Sequence, residues 1–150
     1  MKIWIDADAC PRAIKEIVVR AGEKRRIPVV MVANKAIHIP KSDWVSLVVV
    51  PKGPDVADEK IIEQVSVGDI VITADIPLAA AIVEKGAVGI NPRGEQYDLD
   101  TVRERLSMRD FMADLRDSGL NTGGPASFNE KDKRRFSSTF DRLLHQLSQA

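Results

Sequence analysis

Residues 3–11 read IWIDADACP, and this stretch decides the fold of the chain. An apolar run begins almost at the first residue and ends at Asp6 and Asp8. Pro11 follows where the first turn of a helix tolerates a missing N–H. The order predicts a buried strand that presents two carboxylates at its carboxyl end, just before a helix. In an open α/β sheet, that end is where ligands bind.

The two carboxylates allow two interpretations. In the first, Asp8 caps the following helix and Asp6 is simply solvated. In the second, both acids hold a cation, because neighbouring negative charges repel each other when nothing lies between them. Capping accounts for one of the two residues and not for both, so the pattern favours a cation site.

Composition is that of one globular domain. The chain has 150 residues, of which 44% are hydrophobic and 29% charged, and its net charge is zero. The charge is unevenly spread: residues 55–100 hold three Lys/Arg against ten acids, and both flanking segments have an excess of Lys/Arg.

Cys10 is the single cysteine, which excludes a disulfide framework and a Cys-based zinc site within one chain. With no signal peptide or membrane-spanning run in the sequence, we expect a cytoplasmic protein.

Apolar strands alternate with amphipathic helices over the first 94 residues. This alternation predicts a parallel sheet covered by helices on both faces. Strands are predicted near 3–5, 28–33, 45–50, 70–74 and 87–90, and helices near 11–23, 55–65 and 78–83. If the first strand is central, right-handed crossovers give about five strands in the order 3-2-1-4-5. We expect one domain over residues 1–150, with a βα core in 1–94 and a helical part in 95–150.

The predicted topology brings distant acids together. Asp75 and Pro77 follow the fourth strand much as Asp8 and Pro11 follow the first. The switch point between strands one and four would therefore gather Asp6, Asp8 and Asp75 at one sheet edge. Asp58 lies in the first turn of the second helix, where the helix dipole alone would also favour an acid.

The part after residue 95 is predicted to be helical. A helix to about 106 and a second from 107 to 116 precede a Gly/Pro-rich loop at 119–128. The last helix begins near 129 and carries Lys133 and Arg134 in its first turns, where positive charge opposes the dipole. Either an external anion binds these residues, or they form a solvated face.

Oxygen ligands without His or Cys indicate a hard cation, Mg²⁺ or Mn²⁺, rather than zinc. One or two such ions can activate water and stabilise the leaving oxygen of a phosphodiester. Arg93 and the basic segments would hold the polyanion. The predicted reaction is metal-assisted phosphodiester hydrolysis, with RNA as the expected substrate.

Several motifs carry a family resemblance that spans nearly the whole chain. They are IDADACP at 5–11, DVAD at 55–58, ITADIPLA at 72–79, NPRG at 91–94, MRDF at 108–111 and TGGP at 122–125. On these motifs the chain is identified as a member of the YaiI/YqxD family, small bacterial proteins that resemble PIN and NYN nuclease domains. The resemblance implies a PIN-like three-layer α/β domain in which acids at positions 6, 58 and 75 hold Mg²⁺ or Mn²⁺.

Residue roles follow from the resemblance and the predicted topology. Asp6 and Asp75 are expected to bind the metal directly, and Asp8 and Asp58 through water or by positioning the attacking water. Many PIN domains have a further acid where this chain has Asn91, so fewer charges are available for a second ion. The substrate is expected to contact a second set of residues, namely Asn91, Arg93, Thr122, Gly123, Gly124, Lys133 and Arg134.

Two other functions fit the same motifs. A non-enzymatic RNA- or protein-binding module would keep the fold and at most one metal. A haloacid-dehalogenase-type phosphatase also has an Asp-x-Asp pair after its first strand, with the first Asp as nucleophile. That class also needs a Thr or Ser after the second strand, a Lys, and an acidic pair after the fourth strand. Thr73 and Asp75 fill these roles poorly. The sequence leaves the oligomeric state open.

Overall fold

The computed structural model describes residues 1–117 and 128–148, and the side chains of 1–108 and 128–148. Its strands form one sheet in the order β3-β2-β1-β4-β5-β6. The first five strands are parallel, and β6 pairs antiparallel with β5. The strands are β1 Ile3–Asp6, β2 Val29–Ala33, β3 Val45–Val49, β4 Ile70–Ile72, β5 Val88–Ile90 and β6 Gln96–Tyr97.

Helices cover both faces of the sheet, which gives three layers. The helices are α1 Arg12–Arg25, α2 Val56–Gln64, α3 Ile76–Glu84, α4 Leu99–Asp117 and α5 Glu130–Ser148. Helices α1 and α5 pack on one face, α2 and α3 pack on the other, and α4 lies against α3. The architecture confirms the predicted α/β class and is consistent with a PIN-like three-layer fold.

The central strand β1 is buried on both faces. Ile3 and Ile5 point into the core beneath α1 and α5, whereas Trp4 points into the core beneath α2 and α3. At the amino end of the strand, the carboxylate of Asp69 accepts hydrogen bonds from the Trp4 indole and from the backbone N–H groups of Lys2 and Ser66. These bonds satisfy an acid that is only 4% exposed, so Asp69 fixes the start of the central strand.

Helix α5 completes the core on the α1 side of the sheet. Phe136, Phe140, Leu143 and Leu144 are buried there, which confirms the apolar spacing predicted for the last helix. The helix approaches the turn between β5 and β6 so closely that a Cβ at Gly94 would lie 2.6 Å from the Arg135 carbonyl carbon and the Phe136 nitrogen. Gly94 also has a φ of 89°, which other residues adopt with strain.

The observed sheet differs from the predicted one at its edge. It has six strands rather than about five, because residues 96–97, within the segment predicted to be helical, fold back onto β5. Two residues are too short a run for strand periodicity to be read. The two helices predicted over 95–116 are a single helix, α4.

The start of α1 differs slightly from the prediction, and the lengths of the helices bear on membrane insertion. A short 3₁₀ turn at Ala7–Ala9 separates β1 from α1, so Pro11 lies at the N-cap position of the helix rather than inside it. None of the helices in the described ranges combines the length and the apolar character that crossing a bilayer demands.

Candidate functional site

The carboxyl edge of the sheet is where the predicted acids lie. Strand β1 ends at Asp6, and β4 ends immediately before Thr73. Asp75 follows as the N-cap residue of α3. Because β1 and β4 are neighbours and the crossovers run in opposite directions from them, these residues flank the switch point of the sheet.

Asp6 is the buried member of the cluster, with an exposed fraction of 8%. The hydroxyl of Thr73 donates a hydrogen bond of 3.0 Å to its Oδ2 atom. Burial raises the pKa of Asp6; the Thr73 bond opposes this shift, and the charges of Asp75 and Asp8 add to it. Asp6 is therefore an acid whose charged form lacks a compensating cation within the described protein.

Asp75 performs two structural tasks at the start of α3. Its Oδ1 atom accepts a hydrogen bond of 2.9 Å from the backbone N–H of Leu78, which caps the helix. Its own backbone N–H donates to the Thr73 hydroxyl oxygen at 3.0 Å. Thr73 thus bridges Asp6 and Asp75 through one hydroxyl group, and this bridge fixes the relative position of the two acids.

Asp8 does not cap α1. The helix has no side-chain cap, and the Asp8 Oδ2 atom instead accepts a hydrogen bond of 2.8 Å from the backbone N–H of Asn34. Asn34 directly follows β2, so this bond ties the carboxyl ends of β1 and β2 together. The capping interpretation of Asp8 is wrong, because its partner lies 26 positions away in sequence.

Asp58 contributes a fourth carboxylate from the first turn of α2. Its side chain is half-buried. Burial raises the pKa of Asp58 to about 6, with the charges of Asp75, Asp6 and Asp55 adding to the effect. The acids at this edge of the sheet therefore raise one another's pKa, since each negative charge disfavours ionisation of its neighbours.

Three of the acids share one bonding pattern. Asp6, Asp8 and Asp75 each use one carboxylate oxygen in a hydrogen bond to the protein. Their second oxygens have no hydrogen-bond partner within the described residues. In the same part of the chain, no group of three or more His, Cys, Asp or Glu side chains is arranged as a ready-made metal cage.

Asn91 and Arg93 lie at the same sheet edge, after β5. The Asn91 side-chain oxygen accepts hydrogen bonds from the backbone N–H groups of Arg93 and Glu95, so it organises the turn before β6. The Arg93 guanidinium forms an ion pair with Asp132 at 3.1 Å, which attaches this turn to the start of α5. Both residues predicted to bind substrate thus also hold the β5–β6 turn in place.

The remaining predicted substrate contacts are on α5 or outside the described residues. Lys133 is half-buried and Arg134 exposed in the first two turns of α5, beside the β5–β6 turn. Thr122, Gly123 and Gly124 lie outside the described residues.

Three residues that hold the site in place were not among the predicted site residues. Thr73 belongs to a quoted motif, but its bridging hydroxyl is visible only in the fold. Asn34 contributes a backbone N–H, which no sequence pattern indicates. The Tyr97 hydroxyl donates to the Thr73 carbonyl at 3.1 Å from the unexpected strand β6. Burial raises the pKa of Tyr97 to about 12, so its hydroxyl remains a donor at neutral pH.

Comparison with known proteins identifies close relatives. A family model described as "Uncharacterized BCR, YaiI/YqxD family" matches residues 4–146. A UPF0178 protein of Trichlorobacter lovleyi is 60% identical over 147 residues, which cover 98% of this chain and 96% of the relative. UPF0178 proteins of Shewanella baltica and Acidithiobacillus ferrooxidans are 53% and 51% identical, each over at least 95% of both chains. No solved structure matches the chain.

Proposed function

The chain belongs to the YaiI/YqxD family, and from the geometry of its acidic cluster we propose that it is a Mg²⁺- or Mn²⁺-dependent phosphodiesterase that acts on RNA. The observation that carries this proposal is the environment of Asp6. A buried acid at the end of the central strand has one oxygen bound by Thr73 and further acids around it. A fold gains no stability from such repulsion, so the cluster is best explained by function.

The donor chemistry of the site fits a hard divalent cation. All of the side chains concerned offer oxygen, and the second oxygens of Asp6, Asp8 and Asp75 are without hydrogen-bond partners among the described residues. Mg²⁺ keeps several waters and uses one or two protein carboxylates, so it does not require a complete protein cage. This preference supports an ion held directly by Asp6 and Asp75, with Asp8 binding through water.

Each protein group then has a defined task. A bound cation would supply Lewis-acid stabilisation of phosphodiester oxygens. Thr73 fixes the orientation of Asp6, and the Asn34 N–H fixes that of Asp8. Asp58, half-buried beside these acids, would bind the cation through water or position the attacking water. Arg93, Lys133 and Arg134 would attract the phosphates at the β5 end of the edge.

The first experiment is calorimetric titration of Mn²⁺ and Mg²⁺ into the wild type, Asp6→Asn, Asp75→Asn and the control Asp100→Asn. Asp100 is exposed in α4, away from the cluster, so its variant removes one negative charge without altering the site. We expect saturable binding by the wild type and Asp100→Asn, and none by the other two variants. Binding that survives both Asp6→Asn and Asp75→Asn would refute the assigned ligands.

The second experiment measures cleavage of a labelled RNA with Mn²⁺. We expect cleavage by the wild type and none by Asp6→Asn, while nucleic-acid binding persists in that variant. Cleavage that persists in Asp6→Asn would place the activity elsewhere. A phosphoaspartate trapped at Asp6 would instead identify a haloacid-dehalogenase-type phosphatase.

A specific observation favours a second function, a non-enzymatic RNA- or protein-binding module. The Asn91 oxygen is engaged by two backbone N–H groups, so the position where many PIN domains have a further acid provides neither charge nor an unengaged oxygen. A chain that binds RNA but shows neither metal binding nor cleavage in the two experiments would belong to this class.

A further inference from the structure

A groove of about 750 Å³ runs beside α1, outside the acidic cluster. Helix α1 forms one wall, and the segment that follows β2 forms the other. Apolar side chains contributed by both walls and by β2 line it, namely Val19, Met31, Ile37 and Pro40, together with the exposed His38. Val19 and Met31 are buried, so the apolar surface that remains accessible to a ligand comes from Ile37 and Pro40.

The α1 wall of the groove carries three cations and two acids. Arg12, Lys15 and Arg20 line its α1 side, together with Glu16 and Glu23. Arg12 forms an exposed ion pair with Glu16 at 3.3 Å. Lys15, Arg20 and Glu23 form no ion pair with a described residue, which leaves a net charge of about +1 along this wall.

The whole helical layer that contains the groove is basic. Helices α1 and α5 together carry ten Lys/Arg and five Asp/Glu, whereas α2 and α3 on the opposite face carry one Lys and four acids. The protein is therefore electrically asymmetric although its net charge is zero. A polyanion is attracted to the α1/α5 layer and repelled from the other.

The groove adjoins the acidic cluster through the peptide backbone. Asn34, which begins the segment forming the outer wall, binds the carboxylate of Asp8 at 2.8 Å. Arg12, at the start of α1, follows the cluster after a short turn and lines the groove. A bound polymer that extends from the acidic cluster on this side would therefore reach the groove next.

We propose that this groove, between α1 and residues 34–40, binds a single-stranded nucleic acid that flanks the reacting phosphodiester. Lys15 and Arg20 contact successive phosphates, and the apolar residues provide a surface for unpaired bases. Paired bases are enclosed within a duplex and cannot use such a surface, so the groove selects single strands. The inference rests on the proposed function only for the location of the reacting bond.

The test measures binding separately from catalysis. Fluorescence anisotropy with a labelled oligouridine RNA of about 12 nucleotides, in EDTA so that no cleavage occurs, compares the wild type with Lys15→Glu/Arg20→Glu. We expect the double variant to bind at least about tenfold more weakly. We also expect the salt dependence of its log affinity to be shallower by about 1.4, because each lost phosphate contact on a single strand contributes about 0.7.

The matched control is Lys24→Glu/Arg25→Glu, which makes the same charge change in the last turn of the same helix, outside the groove. We expect its binding to fall by less than about threefold, because a charge beyond the contacted phosphates acts only through a screened field. Circular dichroism establishes that both variants are folded. Equal losses in the two variants would overturn the groove as the binding site.

Two further outcomes separate this inference from the proposed function. Inorganic polyphosphate that competes as well as RNA of equal charge would overturn the role assigned to bases. RNA binding that depends on Lys15 and Arg20, in a protein that never cleaves RNA, would support the groove and refute the phosphodiesterase. Conversely, RNA cleavage unaffected by the double variant, with unchanged affinity, would refute the groove alone.

Discussion

Replacing Asp58 with Asn should stabilise the metal-free protein at neutral pH. The pKa of Asp58 rises from an ordinary value of 3.8 to about 6, because burial and the neighbouring acids disfavour its charge. A tenfold change in acidity corresponds to about 1.4 kcal/mol, so the full shift would correspond to about 3 kcal/mol. The side chain is only half-buried, and solvent screening reduces the expected gain to about 1 kcal/mol.

The pH dependence has a defined sign. The pKa of Asp58 is higher in the folded protein than in the unfolded chain, so the folded state takes up the proton first as the pH falls. The contribution of Asp58 to the free energy of unfolding therefore rises as the pH falls from about 6 to 3.8. Asn is neutral throughout, so the advantage of Asp58→Asn is full at pH 7 and disappears below the lower value.

Urea denaturation in EDTA, at pH 7 and at pH 4, measures this difference. Asp98→Asn is a control of opposite sign, because the backbone N–H of Thr101 lowers the pKa of Asp98. That variant should lose stability at pH 7 and keep most of this deficit at pH 4, because the contribution of Asp98 is lost only below its ordinary pKa of 3.8. A gain for Asp58→Asn that does not depend on pH, or a loss at pH 7, would refute the electrostatic account of the cluster.

The remaining predictions concern the contacts around the cluster. Thr73→Val removes the hydroxyl that binds Asp6 and should reduce the free energy of unfolding by about 1–3 kcal/mol, whereas Thr73→Ser, which keeps the hydroxyl, should cost less in urea denaturation. Gly94→Ala should reduce stability more than Gly68→Ala in thermal unfolding: their φ angles of 89° and 86° are similar, but a Cβ meets backbone only at Gly94. Tyr97→Phe should cost about 1 kcal/mol in urea denaturation by removing one buried hydrogen bond while keeping the ring.

Each of these comparisons has an outcome that contradicts it. Equal effects of Val and Ser at Thr73 would mean that its hydroxyl bridge does not contribute to stability. Equal losses for the two Gly→Ala variants would reduce the role of Gly94 to its backbone conformation alone. An unchanged denaturation midpoint in Tyr97→Phe would show that the bond to the Thr73 carbonyl is replaced by water.

Sequence patterns predict the central sheet well because its strands are continuous apolar runs that end at carboxylates and prolines. The order of the first five strands, and the convergence of Asp6, Asp8 and Asp75 at one edge, follow from right-handed crossovers once the first strand is taken as central. Strand β6 was missed because a two-residue strand has no periodicity, and it depends on the turn that Asn91 organises.

The contacts of the individual acids were harder to predict. Asp75 caps a helix within its own turn, so local sequence is sufficient to indicate that bond. Asp8 has the same local pattern, but it binds the Asn34 backbone, which reaches it only because β1 and β2 pair. The capping bond of Asp75 was not predicted, although its partner is near in sequence, and the partner of Asp8 could not be, because the tertiary fold supplies it.

The position of α5 also has a consequence for how the chain folds as it is synthesised. The side chains of Ile3 and Ile5 emerge from the ribosome first, whereas Phe136 and Phe140, which cover the same side of the sheet, emerge more than a hundred residues later. Until then the nascent chain lacks Phe136 and Phe140, so an apolar part of this sheet face stays exposed beside α1. Such intermediates are substrates for chaperones and prone to aggregate. Translation that stops before α5 should therefore yield insoluble protein, even though every residue of the acidic cluster has already been made.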